Sequence, residues 1–261
     1  MRAVCRRRSL LLAYHGIGES APGVDPNNLR VSPQRFRAQL ELLQDAGFEL
    51  VTVAALAERM QSGPPPPGLA ALSFDDGMED NYSALLPILR EFGATATVYV
   101  TTGIIGAANP WADPASGLRM MTADELRALA EAGIELGAHT VTHPDLAELD
   151  RETCLREMVD SREAIERLTG ARVRTFAYPF CRYGEAAVNA ARDAGFDAAV
   201  TCEGRGGWNR FELKRAMITG RDGWPTFFLK STDVYQPLFD SRAGQALRAL
   251  TRGARARVRG G

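Results

Sequence analysis

Six residues, Gly63-Pro-Pro-Pro-Pro-Gly68, decide where the middle of this 261-residue chain can begin regular structure. Four consecutive prolines offer no N–H donors, so no helix interior or central strand passes through them. Structure restarts at Leu69. The next residues are Leu69-Ala-Ala-Leu-Ser-Phe74, then Asp75-Asp76-Gly77. A short apolar run bounded by turn residues reads as a buried strand. Two adjacent carboxylates therefore stand where a buried strand ends. Like charges this close are costly unless a cation sits beside them. The local alternative is that Asp75 opens a turn and Asp76 caps a helix over 78–92.

The same alternation runs along most of the chain. Strands are expected at 9–14, 48–53, 94–100, 134–138, 173–178, 196–201 and 213–218. Helices are expected at 32–46, 54–61, 122–132, 150–169, 184–194 and 241–251. Ser32-Pro33 and the box Thr122-Ala-Asp-Glu125 mark two helix starts. Long loops fall at 16–31 and at 101–120, the second holding Trp111. Alternating strand and helix implies an α/β fold, with parallel strands and helices outside, closed as a barrel or left as an open sheet. Either form gathers its site at the C-terminal strand ends. His15, Asp75-Asp76, His139 and Tyr178–Phe180 all fall at such ends.

Composition excludes several classes. A net charge of −1 leaves no nucleic-acid footprint over the whole chain, and no nucleic-acid partner is expected. Basic residues gather at the two ends, Arg6–Arg8 and Arg252–Arg259, with the tail 252–261 expected to be mobile. They allow at most a peripheral membrane contact. The Leu10–Ala13 run after Arg8 is too short for a leader and meets no small-residue cleavage site. Cys5, Cys154, Cys181 and Cys202 show no CxxC spacing, so reduced thiols and a cytoplasmic location are expected. One domain over 1–261, with its core at about 10–240, fits this length.

The chain has three histidines, and two of them lie in Gly137-Ala-His-Thr-Val-Thr-His-Pro144. Histidines four apart can share a metal on one helical turn, although Pro144 favours a tight loop instead. Two imidazoles and one carboxylate form a common zinc set that leaves a position open to water. A second carboxylate is then free to accept a proton from that water.

Ser73-Phe-Asp-Asp-Gly77, His139-Thr-Val-Thr-His143 and Phe176-Ala-Tyr-Pro-Phe180 resemble, in order and spacing, the first three motifs of the polysaccharide deacetylases, carbohydrate esterase family 4 or the NodB-homology domain. The likeness runs from about Leu10 to about Ile218. It implies a distorted (β/α) barrel of about seven strands and hydrolysis of an N-acetyl group on an amino sugar. Asp75 would be the general base, and Asp76, His139 and His143 would hold one divalent ion, zinc foremost. The Phe180 N–H would meet the oxyanion, with Tyr178 and Pro179 beside it. The substrate would be an N-acetylated oligosaccharide or a lipid-linked or nucleotide-linked sugar.

The sequence departs from the family pattern twice. An arginine often stands two residues before the motif proline, where this chain has Ala177; Arg182 is the expected substitute for orienting Asp75. A late histidine often serves as general acid, and none follows His143. His15, in a Tyr14-His15-Gly16 opening that resembles the exopolysaccharide-deacetylase branch, is the candidate for that role. Trp208, Trp111 and Tyr183 are candidates for stacking on a sugar. The competing readings are a sugar-binding relative without catalysis and a hydrolase of another amide or imide C–N bond.

Overall fold

The computed structural model describes residues 9–19, 24–60, 63–202 and 208–231. The basic stretches at 6–8 and 252–259 and the helix expected at 241–251 lie outside the described residues. In chain order the elements are β1 (Leu10–Tyr14), β2 (Gly16–Ile17), β3 (Arg30–Val31), α1 (Pro33–Asp45), β4 (Glu49–Val51), α2 (Val53–Arg59), β5 (Leu69–Phe74), α3 (Leu86–Glu91), β6 (Thr97–Val100), α4 (Ala123–Glu131), β7 (Glu135–Ala138), α5 (Arg151–Thr169), β8 (Thr175–Ala177), α6 (Glu185–Asp193), β9 (Ala198–Thr201), β10 (Leu213–Lys214), β11 (Ala216–Met217) and α7 (Trp224–Lys230).

Neighbouring strands follow the order β10-β9-β8-β7-β6-β5-β1-β11, and every pairing is parallel. Only Arg215 separates β10 from β11. Lys214 pairs with Thr201 on one side, and Ala216 pairs with Leu12 on the other. One short stretch therefore bridges the first and last staves and closes the ring. β4 lies against the start of β5, where Glu49 pairs with Leu69, while β6 takes the end of β5 at Ser73 and Phe74. With 213–217 counted as one stave, the ring has the expected seven, and β4 adds an eighth among the described residues.

Strand alternation gives the barrel two cores. Leu10, Leu12, Tyr14, Leu72, Phe74, Val98 and Phe176 face outward and pack against the helices. Leu11, Leu69, Ala71, Tyr99, Ala177, Ala198, Val200 and Leu213 face inward. Three of these inward residues are alanines, and Tyr99 fills the space they leave. At Gly137 a Cβ would lie 2.4 Å from the Tyr99 ring and 3.1 Å from the Thr175 carbonyl, so this stave must be glycine there. Glu135 ties the opposite, N-terminal end of the barrel: its carboxylate accepts from Thr97 Oγ1 at 2.7 Å, Thr175 Oγ1 at 2.6 Å and the Ala54 N–H at 3.0 Å.

The helix starts carry the caps their sequences announce. Ser32 accepts from the Arg35 N–H, Thr122 and Glu125 form a reciprocal box, and Asp150 accepts from Thr153. The helix expected over 78–92 differs. It is a π-helical turn at Asn81–Leu85 followed by α3. Pro87 lacks an N–H for the preceding turn, which opens the backbone there. The loop expected over 16–31 contains the short parallel pair β2–β3.

Gly137→Ala should destabilise the fold by about 1–3 kcal/mol through overpacking against Tyr99. A denaturant titration measures this, and adding Tyr99→Leu should recover most of the loss.

Candidate active site

The C-terminal ends of β1, β5, β7, β8 and β11 surround a pocket of about 250 Å³. His15, Asn27, Leu29, Asp75, Asp76, Trp111, His139, His143, Phe180, Cys181 and Met217 line it. Backbone strain concentrates here. Among the described residues, six non-glycine positions have positive φ: Asn28, Asp76, Thr140, His143, Phe180 and Cys181. Four of the six line this pocket. Thr140, at φ 66°, lies between the two histidines and is β-branched, which makes its left-handed conformation unfavourable. Such conformations persist only where surrounding contacts enforce them.

Those contacts can be named. From α5, Glu157 accepts the Val141 N–H at 2.8 Å, the Thr142 N–H at 3.0 Å and the Thr142 hydroxyl at 2.8 Å. The His143 N–H donates to Thr140 Oγ1 at 3.0 Å. The segment from His139 to His143 is thus a clamped loop, as Pro144 favours, and not a helical turn.

Asp75 and Asp76 are both buried and have different partners. Arg215 holds Asp75 bidentately, Nη1 to Oδ1 at 2.6 Å and Nη2 to Oδ2 at 2.7 Å. Nη1 also donates to Ser73 Oγ at 3.0 Å, and the guanidinium lies over the Tyr99 ring, 5.6 Å from its centroid. The Arg215 side chain is fully buried. Burial would raise the Asp75 carboxyl, but the charge of Arg215, with His139 and His15 adding to it, outweighs burial and holds it at about 2.

Asp76 Oδ1 lies 3.5 Å from Nε2 of His139 and 3.5 Å from Nε2 of His143. The three donor atoms lie within 4.8 Å of one another. Donors about 2.0–2.1 Å from a tetrahedral ion stand about 3.4 Å apart, so this trio fits one. His139 Nδ1 lies 2.8 Å from the Ala177 carbonyl, its only possible role there being donor, which leaves the Nε2 lone pair facing Asp76. Burial tends to raise the Asp76 carboxyl, yet the histidines lower it. His139 is raised despite its burial, through Asp76 and Asp75, while burial and the neighbouring His139 push His143 down to about 4. The His143 ring meets Trp111 and Phe180 edge-on, at centroid distances of 4.8 and 4.5 Å.

The wall carrying His15 is pinned from below. The buried Asp80 accepts the Ile17 N–H at 3.2 Å and Arg30 Nε at 2.9 Å, and Asn81 donates to the His15 carbonyl at 2.9 Å. A Cβ at Gly16 would approach Asp80 Oδ2 to 2.8 Å, so the strand passes this close only as glycine. Burial pushes the Asp80 carboxyl up to about 6, against the pull of Arg30. His15 Nδ1 is buried and has no hydrogen-bond partner.

Four expectations need correction. Arg182 does not reach Asp75. It is exposed and pairs with Asp145 at 2.9 Å and Glu148 at 3.4 Å; Arg215 is the arginine at Asp75. Tyr178 turns its side chain to the outer core, stacked on Tyr183 with its hydroxyl donating to the Phe211 carbonyl, and Pro179 is buried beneath it; neither lines the pocket. Trp208 packs against the inner core, and Trp111 is the tryptophan at the pocket. Cys181 and Cys202 form a disulfide, their Cα atoms 5.3 Å apart, so reduced thiols no longer support a reducing compartment. Arg215 had only a weak sequence signal: with Lys214 it is one of two cations in the otherwise apolar strand expected over 213–218.

Residues 62–199 match the family model described as polysaccharide deacetylase. The Bacillus subtilis (strain 168) protein YxkH, which bears a polysaccharide deacetylase name, is 28% identical over 194 residues, 74% of this chain and 64% of its own length. The poly-beta-1,6-N-acetyl-D-glucosamine N-deacetylase of Staphylococcus aureus (strain MRSA252) is 24% identical over 59% of this chain and 54% of its own. The chain thus spans less than two thirds of either relative. Among solved structures, the Streptococcus pyogenes deacetylase PplD in complex with acetate superposes with a TM-score of 0.74 at 25% identity, covering 87% of this chain and 98% of that one.

Arg215→Met should leave Asp75 buried without its counter-ion and cost about 3–5 kcal/mol at neutral pH. The sign with pH follows from the shift. In the wild type, Asp75 is lowered from 3.8 to about 2, so its contribution is complete above pH 4 and lost as pH falls toward 2. Without Arg215, burial raises Asp75 instead, and acidification from pH 7 to 4 should narrow the gap in thermal midpoint between variant and wild type. A gap that widens on acidification would contradict the pairing.

Proposed function

Because the chain belongs to the polysaccharide deacetylase family, we propose that it hydrolyses the N-acetyl group of an amino sugar within a glycan or glycan precursor and releases acetate. The observation that carries this reading is the division of labour between adjacent aspartates: Asp75 held ionised by Arg215, Asp76 grouped with His139 and His143. A pure sugar-binding module has no use for either arrangement. The loss of an arginine at Ala177 argued for a non-catalytic relative, and the arginine supplied by the closing strand removes that argument.

Asp76, His139 and His143 would hold one divalent ion, zinc by donor type. Bound there, the ion supplies Lewis acidity toward the amide carbonyl and toward water. The chain's own residues do the rest. Asp75 uses one lone pair on each oxygen for Arg215 and keeps others to accept a proton from the attacking water. The Phe180 backbone is held in a left-handed turn at φ 56°, and its N–H would meet the developing oxyanion. Trp111 and the 58%-exposed Phe180 flank His143 and give a sugar ring apolar faces at the mouth. The departing amine needs a proton, and His15, which lines the same pocket, is our candidate to deliver it.

Two measurements test the reading. The purified protein should bind about one zinc per chain and release acetate from N-acetylglucosamine oligomers. Asp75→Asn should keep the metal and lose nearly all activity, while Asp76→Asn or His143→Ala should lose both. One metal per chain without acetate release from any N-acetylated sugar would point to another amide substrate. Second, His15→Ala should lower turnover about 10²-fold with metal content unchanged, and the alkaline limb of the pH–rate profile should flatten. Near wild-type turnover in that variant would assign both proton transfers to Asp75.

A further inference from the structure

Two consecutive left-handed residues stand where the Phe180 N–H would meet the oxyanion. Phe180 has φ 56° and Cys181 φ 55°. Residues with a side chain enter this region singly and at a cost, and a bulky ring makes it worse. The turn's own hydrogen bonds are two: the Cys181 N–H donates to the Tyr178 carbonyl and the Arg182 N–H to the Pro179 carbonyl, both at 3.0 Å. They close the turn on itself and do not attach it to the barrel. The Phe180 ring is exposed, and Arg182 points away to Asp145 and Glu148.

The attachment comes from the end of β9. Thr201 Oγ1 donates to the Cys181 carbonyl at 3.4 Å, a long hydrogen bond, and the next residue, Cys202, is bonded covalently to Cys181. The same two residues touch the closing strand. The Arg215 N–H donates to the Thr201 carbonyl at 2.7 Å, and Arg215 Nη2 lies 3.8 Å from Cys202 Sγ. Arg215 in turn holds Asp75. The disulfide therefore stands between the oxyanion turn and the arginine that serves the base, and Cys181 itself lines the pocket. A cross-link that served stability alone would have no need to sit on the strained pair. Both cysteines are half-buried, so a small reductant can reach the bond.

Resting on the deacetylase reading above, we propose that the Cys181–Cys202 disulfide is a positioning link: it holds the Phe180 N–H at the pocket, and full turnover belongs to the oxidised chain. The two cysteines act through the backbone of Phe180 and transfer no proton themselves. With the bond open, the Thr201 hydrogen bond and the two within the turn remain, and the strained pair relaxes toward ordinary φ values. An oxyanion donor works because it is aimed before charge develops, and a misplacement of about 1 Å can cost about 10²-fold in rate. A water-soluble phosphine opens the bond in a balanced step. Phosphorus gives up two electrons and takes the oxygen of one water, and the two protons of that water end on the two sulfurs.

The test compares the metal-loaded full chain before and after phosphine treatment, with metal content followed throughout. Non-reducing peptide mapping of the untreated protein should recover a peptide pair joined through Cys181 and Cys202. On N-acetylglucosamine oligomers, reduction should lower kcat about tenfold or more and change KM less than about threefold, with the metal retained. Cys202→Ser should reproduce the lower kcat and no longer respond to phosphine. An N-trifluoroacetyl substrate stabilises its own oxyanion by withdrawing charge, so on it the deficit of the reduced enzyme should be at least about threefold smaller. A chain that was merely less stable would show one deficit on both substrates. Hydrogen exchange at the Cys181 and Arg182 N–H, which needs no turnover, should become about tenfold faster on reduction. Absence of the joined peptide pair, unchanged exchange, wild-type turnover by the reduced chain, or equal deficits on the two substrates overturns the proposal. Faster exchange in a chain that releases acetate in neither state supports the hold of the link on the turn while sinking the deacetylase reading, so the two failures are told apart.

Discussion

Two carboxylates, adjacent in sequence and both buried at the end of one strand, are the constraint around which this structure is arranged. Neither can stay ionised in a barrel interior unaided. Asp75 is served by a guanidinium inside the ring, and Asp76, at φ 75°, turns away toward two imidazoles. The left-handed turn at Asp76 lets neighbouring residues face different partners. The strained positions His143, Phe180 and Cys181 line the same pocket, and Thr140 shapes the loop between the two histidines, each at the cost of an unfavourable backbone. That cost is met by ordinary groups nearby, chiefly Glu157 on α5 and the Cys181–Cys202 link.

Much of this was legible in the residues. The proline run and the apolar stretch after it set β5, and the β-branched or apolar runs set most other staves. Asp75-Asp76, His139, His143 and His15 stand at strand ends because parallel α/β folds gather polar groups there. What could not be read has a common cause. Arg215 is 140 residues from Asp75, and nothing local to 213–217 says that this stretch bridges two staves and points its middle residue inward. Arg182 follows Ala177 closely along the chain, but its own neighbourhood supplied Asp145 and Glu148 instead. The cysteine pair, 21 residues apart, lacks a spacing signature because its closeness comes from β8 and β9 lying side by side.

Residue size completes the picture of the interior. Ala71, Ala177 and Ala198 are inward and small, Gly137 smaller still, and the room they leave is taken by Tyr99 and by Arg215 lying over its ring. An arginine can be stored in a barrel only if the lining is trimmed and its charge is paired. Here Asp75 pairs it and Ser73 accepts from Nη1, while the buried Nε has no hydrogen-bond partner. The alanine at 177 thus belongs to a consistent arrangement: its carbonyl fixes His139, and its missing side chain leaves the interior to an arginine from the opposite end of the fold.

Closure by 213–217 also has a meaning for how the chain is made. A ribosome releases β1 and β5 first, and both carboxylates emerge with them, long before residue 215 has been synthesised. Until that last stave docks between β9 and β1, the nascent barrel is an open sheet with two edges and a charged interior that water must keep solvating. The contact that completes the ring is therefore among the most non-local in the chain, and closure of this kind is entropically late. A chain interrupted before residue 215 would carry every histidine and both aspartates yet could not seal.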